Sequence, residues 1–146
     1  MVFFCFIIVL MNIYLDIAGT LGWTQSPLND VVELLEYCLD NYPGQVYWLT
    51  TFCKNGINRT YEALSFLPDD LRQRAFEEVK PTDWSALKTD AIDFTKPFVW
   101  IDDSIYDSER RALDEHFVED SYYWMNSSDP EGAKKALDFI KNRAKA

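Results

Sequence analysis

Three short apolar segments of the chain each end on side chains that could do chemistry. The first ends on Asp16, the second on Thr50, and the third on the pair Asp102 and Asp103. If these segments are neighbouring strands of an open α/β sheet, the groups converge beyond the carboxyl ends of the strands, where such sheets bind their ligands. Two or three carboxylates in that position suit an octahedral Mg²⁺, which keeps several waters and takes few protein ligands.

Apolar runs of strand length alternate with amphipathic helical stretches along the chain, which predicts the sheet that would position these groups. Strands are expected at 13–15, 46–49, 98–101 and 122–125, with a further short strand near 76–79. Helices are expected at 28–39, 58–67, 69–77, 83–93, 107–116 and 130–144. The first helix would be capped by Ser26 or Asn29, and the helix over 83–93 by Thr82. We therefore predict an α/β fold, a Rossmann-like three-layer α/β/α sandwich with a mostly parallel sheet.

The predicted domain organisation depends on the length of the chain and on the apolar character of its first ten residues. The chain has 146 residues, of which 48% are hydrophobic, enough for a single core. The apolar start, MVFFCFIIVL, continues only to Asp16, short of the roughly 18 apolar residues of a membrane-spanning helix. It also lacks the basic residues that open a signal peptide. We predict that residues 1–10 are an extension or a misassigned start and that residues 11–146 are the domain, with a weak membrane anchor as the alternative.

Charge and rare residues exclude several classes of function. The formal net charge of −10 argues against binding to nucleic acid or to an anionic membrane. Three cysteines without CxxC spacing argue against a disulfide framework or a zinc cluster, and a cytoplasmic location is expected. A hydrolase of the Ser/Cys–His type would depend on the single histidine, His116, together with Ser104 or Cys53.

The polar segments resemble the motifs of the haloacid dehalogenase-like superfamily, and the resemblance covers residues 11–146. Asp16-Ile17-Ala18-Gly19-Thr20-Leu21 is similar to its first motif, DxDGT(L/V), after a hydrophobic strand. The segment 47–50 resembles the second motif, and 99–103 resembles the fourth, a strand that ends in an acidic pair. The third motif is a lysine upstream of that pair, for which Lys88 fits best and Lys80 is the alternative.

The resemblance implies a Mg²⁺-dependent phosphohydrolase that acts through an aspartyl-phosphate. Asp16 would attack phosphorus, and one of its oxygens would bind Mg²⁺ together with Asp102 and the backbone carbonyl of Ala18. Asp103 would support these ligands. Covalent catalysis would thus be combined with electrostatic stabilisation by metal and fixed donors.

Two further residues would handle the phosphoryl group under the same resemblance. Thr50 would hydrogen-bond a phosphoryl oxygen, and Lys88 would neutralise charge on Asp16 and on the phosphate. Only about thirty residues separate Asp16 from Thr50, room for one helix and no cap domain. A capless member has an open site, which suits a phosphorylated substrate, small or macromolecular, or a lid from another subunit of an oligomer.

Ala18 departs from the pattern, because the phosphatases of the superfamily carry a second Asp there. That Asp protonates the leaving group and then activates water, and losing such a group costs about 10²–10⁴-fold in rate. Reduced activity is therefore expected. The alanine can reflect engineered inactivation, natural loss of catalysis, or chemistry without the acid. Phosphonoacetaldehyde hydrolases resemble this chain in carrying DxAGT, but they use a cap-domain lysine. The alternative function is a non-catalytic phosphoryl- or partner-binding domain.

The remaining aromatic residues and the histidine have simpler interpretations. Trp48, Trp84, Trp100 and Trp124 are expected in the core. Trp23 would lie at the mouth of the site, where it packs against the protein or stacks on a substrate. His116 is expected on the surface.

Overall fold

The computed structural model describes residues 10–145 and shows one five-stranded sheet. Its strands are β1 (Asn12–Leu15), β2 (Val46–Trp48), β3 (Lys80–Pro81), β4 (Phe98–Asp102) and β5 (Tyr122–Trp124). The order across the sheet is β3-β2-β1-β4-β5, and each neighbouring pair is parallel. The prediction for residues 1–10 falls, apart from Leu10, outside the described residues.

Helices connect the strands. Between residues 10 and 145 these are α1 (Leu28–Asn41), α2 (Thr60–Ala63), α3 (Asp69–Glu78), α4 (Asp107–Glu115) and α5 (Gly132–Ala144). Short 3₁₀ turns lie at Thr51–Cys53, Lys88–Ala91 and Glu119–Ser121. Within residues 10–145, the structure has no helix with both the length and the apolar character needed to cross a membrane.

The sheet is buried on both faces, as the alternating side chains of β1 show. Ile13 and Leu15 enter a large core that also contains residues of α1 and α5. Tyr14 points to the other face and packs with Trp100 and with Leu113 of α4. Successive strand side chains point to opposite faces, so two cores require helices on both sides of the sheet. The predicted α/β fold with a Rossmann-like layered architecture is confirmed, and the sheet is wholly parallel in the described residues.

Three element predictions between β2 and β4 differ from the structure. The strand predicted near 76–79 is not formed, because residues 76–78 are the last residues of α3. The N–H of Val79 donates to the carbonyl of Ala75 at the end of this helix. The edge strand comes later, at Lys80–Pro81. The helix predicted over 83–93 is reduced to the 3₁₀ turn Lys88–Ala91, because the Trp84 carbonyl accepts from the N–H of Asn55 in the loop after β2. Similarly, the helix predicted over 58–67 covers only Thr60–Ala63.

The predicted caps are also replaced by tertiary hydrogen bonds. Helix α1 begins after Pro27 without a side-chain cap. The Ser26 hydroxyl instead accepts from the N–H of Ala133 at the start of α5, at 3.0 Å. The Thr82 hydroxyl donates to the carbonyl of Trp48 in β2, at 2.6 Å. In both cases the local sequence predicts that the hydroxyl caps the helix that follows it, whereas in the structure the hydroxyl connects two elements that are distant in sequence.

The strand order reverses beside β1, which lies between β2 and β4. Chain connections run outward from β1 to β2 and β3 on one side, then cross to β4 and β5 on the other. In open α/β sheets the carboxyl ends of the strands at such a reversal frame the ligand crevice. Leu15 pairs with Ile101 in the ladder, so Asp16 and Asp102 follow at the same end of adjacent strands.

Candidate active site

The three aspartates predicted from sequence converge at the carboxyl edge of the sheet. Asp16 follows β1 directly, and its N–H donates to the carbonyl of Ile101 at 3.1 Å, which extends the ladder by one residue. Asp102 is the last residue of β4, and Asp103 follows it. One carboxylate oxygen from each aspartate lies within 4.8 Å of the others. Because Asp16 and Asp102 are both buried, this concentration of charge needs compensating partners.

Lys88 supplies the positive charge in this cluster. Its Nζ lies 2.6 Å from Oδ2 of Asp102 and 3.5 Å from Oδ1 of Asp16. The lysine side chain is itself only 12% exposed, so the ion pairs are poorly screened by water.

The pKa values of the cluster reflect burial beside like charge. Burial, and then the charge of Asp16, raise the pKa of Asp102 to about 8. Burial also raises the pKa of Asp16, although Lys88 acts in the opposite direction. For Lys88, burial lowers the pKa, but the two carboxylates more than offset it and the net pKa is raised. The Lys88 ammonium group thus stays charged and is shared by the side chains of Asp16 and Asp102. A second cation would stabilise the ionised forms of these two side chains.

Asp102 is held in one orientation by three donors. The Ser104 N–H donates to Oδ1 at 3.0 Å, while the Trp100 Nε1–H and the Lys88 ammonium donate to Oδ2 at 3.3 and 2.6 Å. A carboxylate fixed in this way is preorganised as a ligand or as an electrostatic partner, because its rotamer is already chosen before anything binds.

The turn after β1 positions Asp103. Gly19 has a left-handed φ of +77°, and a side chain there would collide with the Asp103 carboxylate. The buried Thr20 hydroxyl accepts from the Asp103 N–H at 3.1 Å and lies 3.2 Å from Oδ2 of Asp16. The glycine and the threonine of the DIAGTL segment therefore connect the ends of β1 and β4.

Glu109 anchors the loop that carries Lys88. Its buried carboxylate accepts from the backbone N–H of Lys88 at 2.7 Å through Oε2. The other oxygen accepts from the N–H of Tyr106 at the start of α4, at 2.9 Å. One side chain thus ties the lysine loop to the helix after the acidic pair.

The other two predicted site residues, Thr50 and Lys80, differ in how close they lie to the aspartates. Thr50 is fully buried, and its hydroxyl oxygen accepts a long hydrogen bond, 3.5 Å, from the N–H of Phe52. The same side chain hydrogen-bonds Asp16 and so lowers the pKa of that carboxyl. The neighbouring Thr51 lines the cavity. Lys80 lies elsewhere, with its Nζ 5.6 Å from the ring centre of Tyr47 and beside a different cavity. Of the two candidate lysines, the structure brings only Lys88 to the aspartates.

The site opens into a cavity of about 210 Å³. Ala18 is exposed at its wall. The backbone bonds of the turn join Gly19 to Gly22 and Gly22 to Ile17, and so bypass Ala18. The walls are formed by Asp16, Ala18, Thr51, Trp84, Lys88, Asp102, Asp103, Ser104, Tyr106 and Glu109.

The core prediction for the tryptophans needs one correction. Trp48, Trp84 and Trp100 are buried, but Trp124 is 58% exposed. Its Nε1–H donates to the carbonyl of Asp103 at 2.9 Å, so it lies at the same edge of the sheet as the site. Trp23 is also exposed and contacts Phe66 at a ring distance of 6.0 Å, rather than packing into the core.

A Ser/Cys–His arrangement is not assembled. Ser104 lines the aspartate cavity, Cys53 lines a separate one, and the exposed His116 stacks on Phe94 at a ring distance of 3.9 Å. Among the described residues no hydrogen bond joins the histidine to either nucleophile.

Sequence reasoning missed three residues that organise the site. Thr20 lies inside the DIAGTL segment and could have been found there. Trp100 lies two residues before Asp102 on the same face of β4, a spacing that places its indole N–H beside the carboxylate. Glu109 gave no signal, because a pattern that begins with Tyr106 does not match the usual helix-capping sequence.

Comparisons with protein-family models, with curated proteins and with solved structures produced no match to this chain.

Proposed function

We propose that this chain is a Mg²⁺-dependent phosphohydrolase of the haloacid dehalogenase-like type, with Asp16 as the nucleophile. One observation carries the proposal: the Lys88 ammonium group lies between Asp16 and Asp102, with Asp103 beside them, at the carboxyl edge of a parallel sheet. This combination places a nucleophile, metal-type ligands and a fixed positive charge around one cavity, as phosphoryl transfer requires.

The donor set fits Mg²⁺. Three carboxylates lie close together and only one lysine pairs with them, through Asp16 and Asp102, so an anionic substrate would meet net repulsion unless a cation were bound. Oxygen donors from few residues are what Mg²⁺ prefers, and Asp16, Asp102 and the Ala18 carbonyl would hold it. When bound, the ion would neutralise phosphate charge and orient the phosphoryl group.

The chain's own residues would perform the first step. An oxygen of Asp16 attacks phosphorus, with its carboxylate oriented by the Thr20 hydroxyl at 3.2 Å. Lys88 stabilises the charge that develops on the transferred group, and its position is set by Glu109. Thr51, next to the buried Thr50, lines the cavity. These interactions are formed before the substrate arrives, which avoids reorganisation during the reaction.

Ala18 predicts slow turnover. The family pattern puts the general acid and base at this position, and its loss costs about 10²–10⁴-fold. The exposed methyl group leaves the cavity wall without that carboxylate. The same observation favours the second candidate, a phosphoryl- or partner-binding domain that keeps the site without catalysis.

The substrate class follows from the open cavity. Only α1 lies between β1 and β2, which supports a capless type. Such a site would accept phosphate esters on small or macromolecular substrates, or a lid from a second subunit. We assign this activity to the cytoplasm, in keeping with the unpaired Cys38 and Cys53.

The test is Mg²⁺-dependent phosphate release from a panel of phosphomonoesters. We expect Ala18→Asp to release phosphate about 10²–10⁴-fold faster than the chain with Ala18, and Asp16→Asn to release none. If Ala18→Asp is no faster and neither protein binds inorganic phosphate with Mg²⁺, the phosphohydrolase proposal is wrong. If both bind phosphate without turnover, the binding-domain alternative is preferred.

A further inference from the structure

The cavity beside the aspartates has an aromatic side as well as a charged one. Trp84 and Tyr106 line it together with Asp16, Asp102 and Lys88. Trp84 is buried, whereas Tyr106 is 64% exposed. Ligand sites in proteins combine apolar and aromatic walls with a few placed polar groups, and this cavity has both parts. Its walls thus offer an aromatic surface next to the charged groups.

Trp84 lies next to the cation of the site. Its indole Nε1–H donates to the carbonyl of Thr50 at 3.0 Å, which fixes the ring. The Lys88 Nζ is 5.9 Å from the centre of that ring, within the range of a cation–π contact. A phosphoryl group paired with Lys88 would therefore lie beside the indole ring, and the substituent on its ester oxygen would meet the aromatic side of the cavity.

Glu109 sets the position of Tyr106 relative to Lys88. Its carboxylate accepts from the backbone N–H of Tyr106 at 2.9 Å and from that of Lys88 at 2.7 Å. The cation and the exposed ring thus belong to two segments that are anchored to one buried side chain. A pair that is fixed in advance loses little conformational freedom when a ligand binds, which favours affinity.

The charges of the walls restrict the rest of the substrate. Among the described residues that line the cavity, Lys88 is the one cation, and it is already paired with Asp102. Asp103, half-buried on the same wall, has an Oδ2 atom without a hydrogen-bond partner in the described part of the chain. A second anionic group on the substrate would meet this carboxylate without a cation of its own, which costs affinity. An uncharged aromatic substituent is compatible with both sides of the cavity.

We propose that Tyr106 is a specificity-determining residue that selects aryl phosphate monoesters over alkyl ones. The inference rests on the phosphoryl site at Asp16 and Lys88 proposed above and names its substrate class. With the phosphoryl group at Lys88, the aryl ring lies against the exposed ring of Tyr106, where offset-stacked or edge-to-face pairs are favourable. Such a pair strengthens binding by about two- to tenfold, beyond the effect of the buried area.

The experiment measures the dissociation constants of three phosphonates, which keep the phosphoryl charge but carry a carbon–phosphorus bond that the proposed reaction does not cleave. Phenylphosphonate, cyclohexylphosphonate and methylphosphonate are titrated into the full chain with Mg²⁺ by calorimetry, at a pH where all three are dianions. Phenylphosphonate should bind about two- to tenfold more tightly than cyclohexylphosphonate, its size-matched aliphatic control, and more tightly than methylphosphonate as well. Because no turnover is needed, slow catalysis with Ala18 does not affect the result.

Variants test whether the preference depends on Tyr106. Tyr106→Ala should abolish the difference between phenylphosphonate and cyclohexylphosphonate, and Tyr106→Phe should retain it, because the aromatic ring remains. Phe117→Ala is the control for the loss of an exposed aromatic side chain. Phe117 is 87% exposed beyond the other end of α4 and does not line the cavity, so this variant should retain the preference too.

Two results overturn the inference and leave the phosphoryl site standing: cyclohexylphosphonate binds as tightly as phenylphosphonate, or the preference survives in Tyr106→Ala. Binding of inorganic phosphate with Mg²⁺, without binding of any phosphonate, also overturns the inference alone. If neither phosphate nor a phosphonate binds, the inference and the proposed function both fail. The comparison of the three phosphonates uses the chain with Tyr106 and does not depend on the folding of a variant.

Discussion

The Lys88 ammonium lies 2.6 Å from Oδ2 of Asp102, a residue that follows it by fourteen positions and belongs to a different element. The lysine begins the 3₁₀ turn Lys88–Ala91, whereas the aspartate ends a fully buried strand. This contact completes a compact group of buried charges. Burial of the charges distinguishes this site from an ordinary surface cluster, and the contact between Lys88 and Asp102 compensates those charges.

Replacing Lys88 by Met should destabilise the metal-free protein strongly. Above about pH 8, where Asp102 is ionised as well as Asp16, two buried carboxylates would lose their partner, a change that typically costs about 3–5 kcal/mol. The loss should shrink as the pH falls, because protonated carboxyls need no cation. Urea unfolding at several pH values measures it. Lys80→Met, at an exposed position away from the site, should change stability by less than about 0.5 kcal/mol; an equal effect of the two substitutions would contradict the structure.

Gly19 and Gly44 form a matched pair for testing the role of the turn after β1. Both have a left-handed φ, +77° and +75°, so an alanine at either costs about 1–2 kcal/mol of backbone strain. A side chain at Gly44 meets nothing within 4 Å, whereas one at Gly19 collides with Asp103. Gly19→Ala should therefore also weaken the proposed Mg²⁺ binding, measured by calorimetry, and Gly44→Ala should not. Equal Mg²⁺ affinities in the two variants would mean that Asp103 is not positioned by Gly19.

Glu109→Gln should loosen the Lys88 loop. The amide oxygen can accept from only one of the two N–H groups that the carboxylate serves, and the amide nitrogen faces the other donor. A buried unsatisfied N–H costs about 1–3 kcal/mol in unfolding free energy. Glu115→Gln, at an exposed position of α4, is the control for removal of one charge from the helix. Hydrogen exchange at the Lys88 amide should quicken only in Glu109→Gln.

Cys38 should be inert in the folded protein. Burial raises the pKa of its thiol to about 12, so alkylation at pH 8 should be at least about 10³-fold slower than in the unfolded chain. Because the folded pKa lies above the unfolded one, this thiol's contribution to stability is complete below about pH 8.5 and is lost as the pH rises toward 12. Mass spectrometry of iodoacetamide labelling, with and without urea, measures the protection. Rapid labelling of native Cys38 would contradict its burial.

The regular elements were predictable because their patterns are local. The strand ending at Asp102 is a run of apolar residues, and the helix over Leu28–Asn41 repeats its apolar residues at helical spacing. The predicted helix over 83–93 failed because distant groups take its backbone hydrogen bonds: Asn55 at Trp84 and Glu109 at Lys88. No local pattern contains that information.

The sequence alone determined that Asp16, Asp102 and Asp103 would share one edge of a parallel sheet, since polar residues that directly follow buried strands emerge together at the carboxyl ends. It also determined that position 18 carries no acid. Only the tertiary structure decided which lysine joins the aspartates. Lys80 and Lys88 both precede the acidic pair in sequence, but the Glu109 carboxylate holds the Lys88 backbone beside β4, while the edge strand β3 carries Lys80 toward Tyr47. The physical reason is that a direct ion pair requires its two charged groups within about 4 Å of each other, and such proximity is set by long-range packing rather than by separation along the chain.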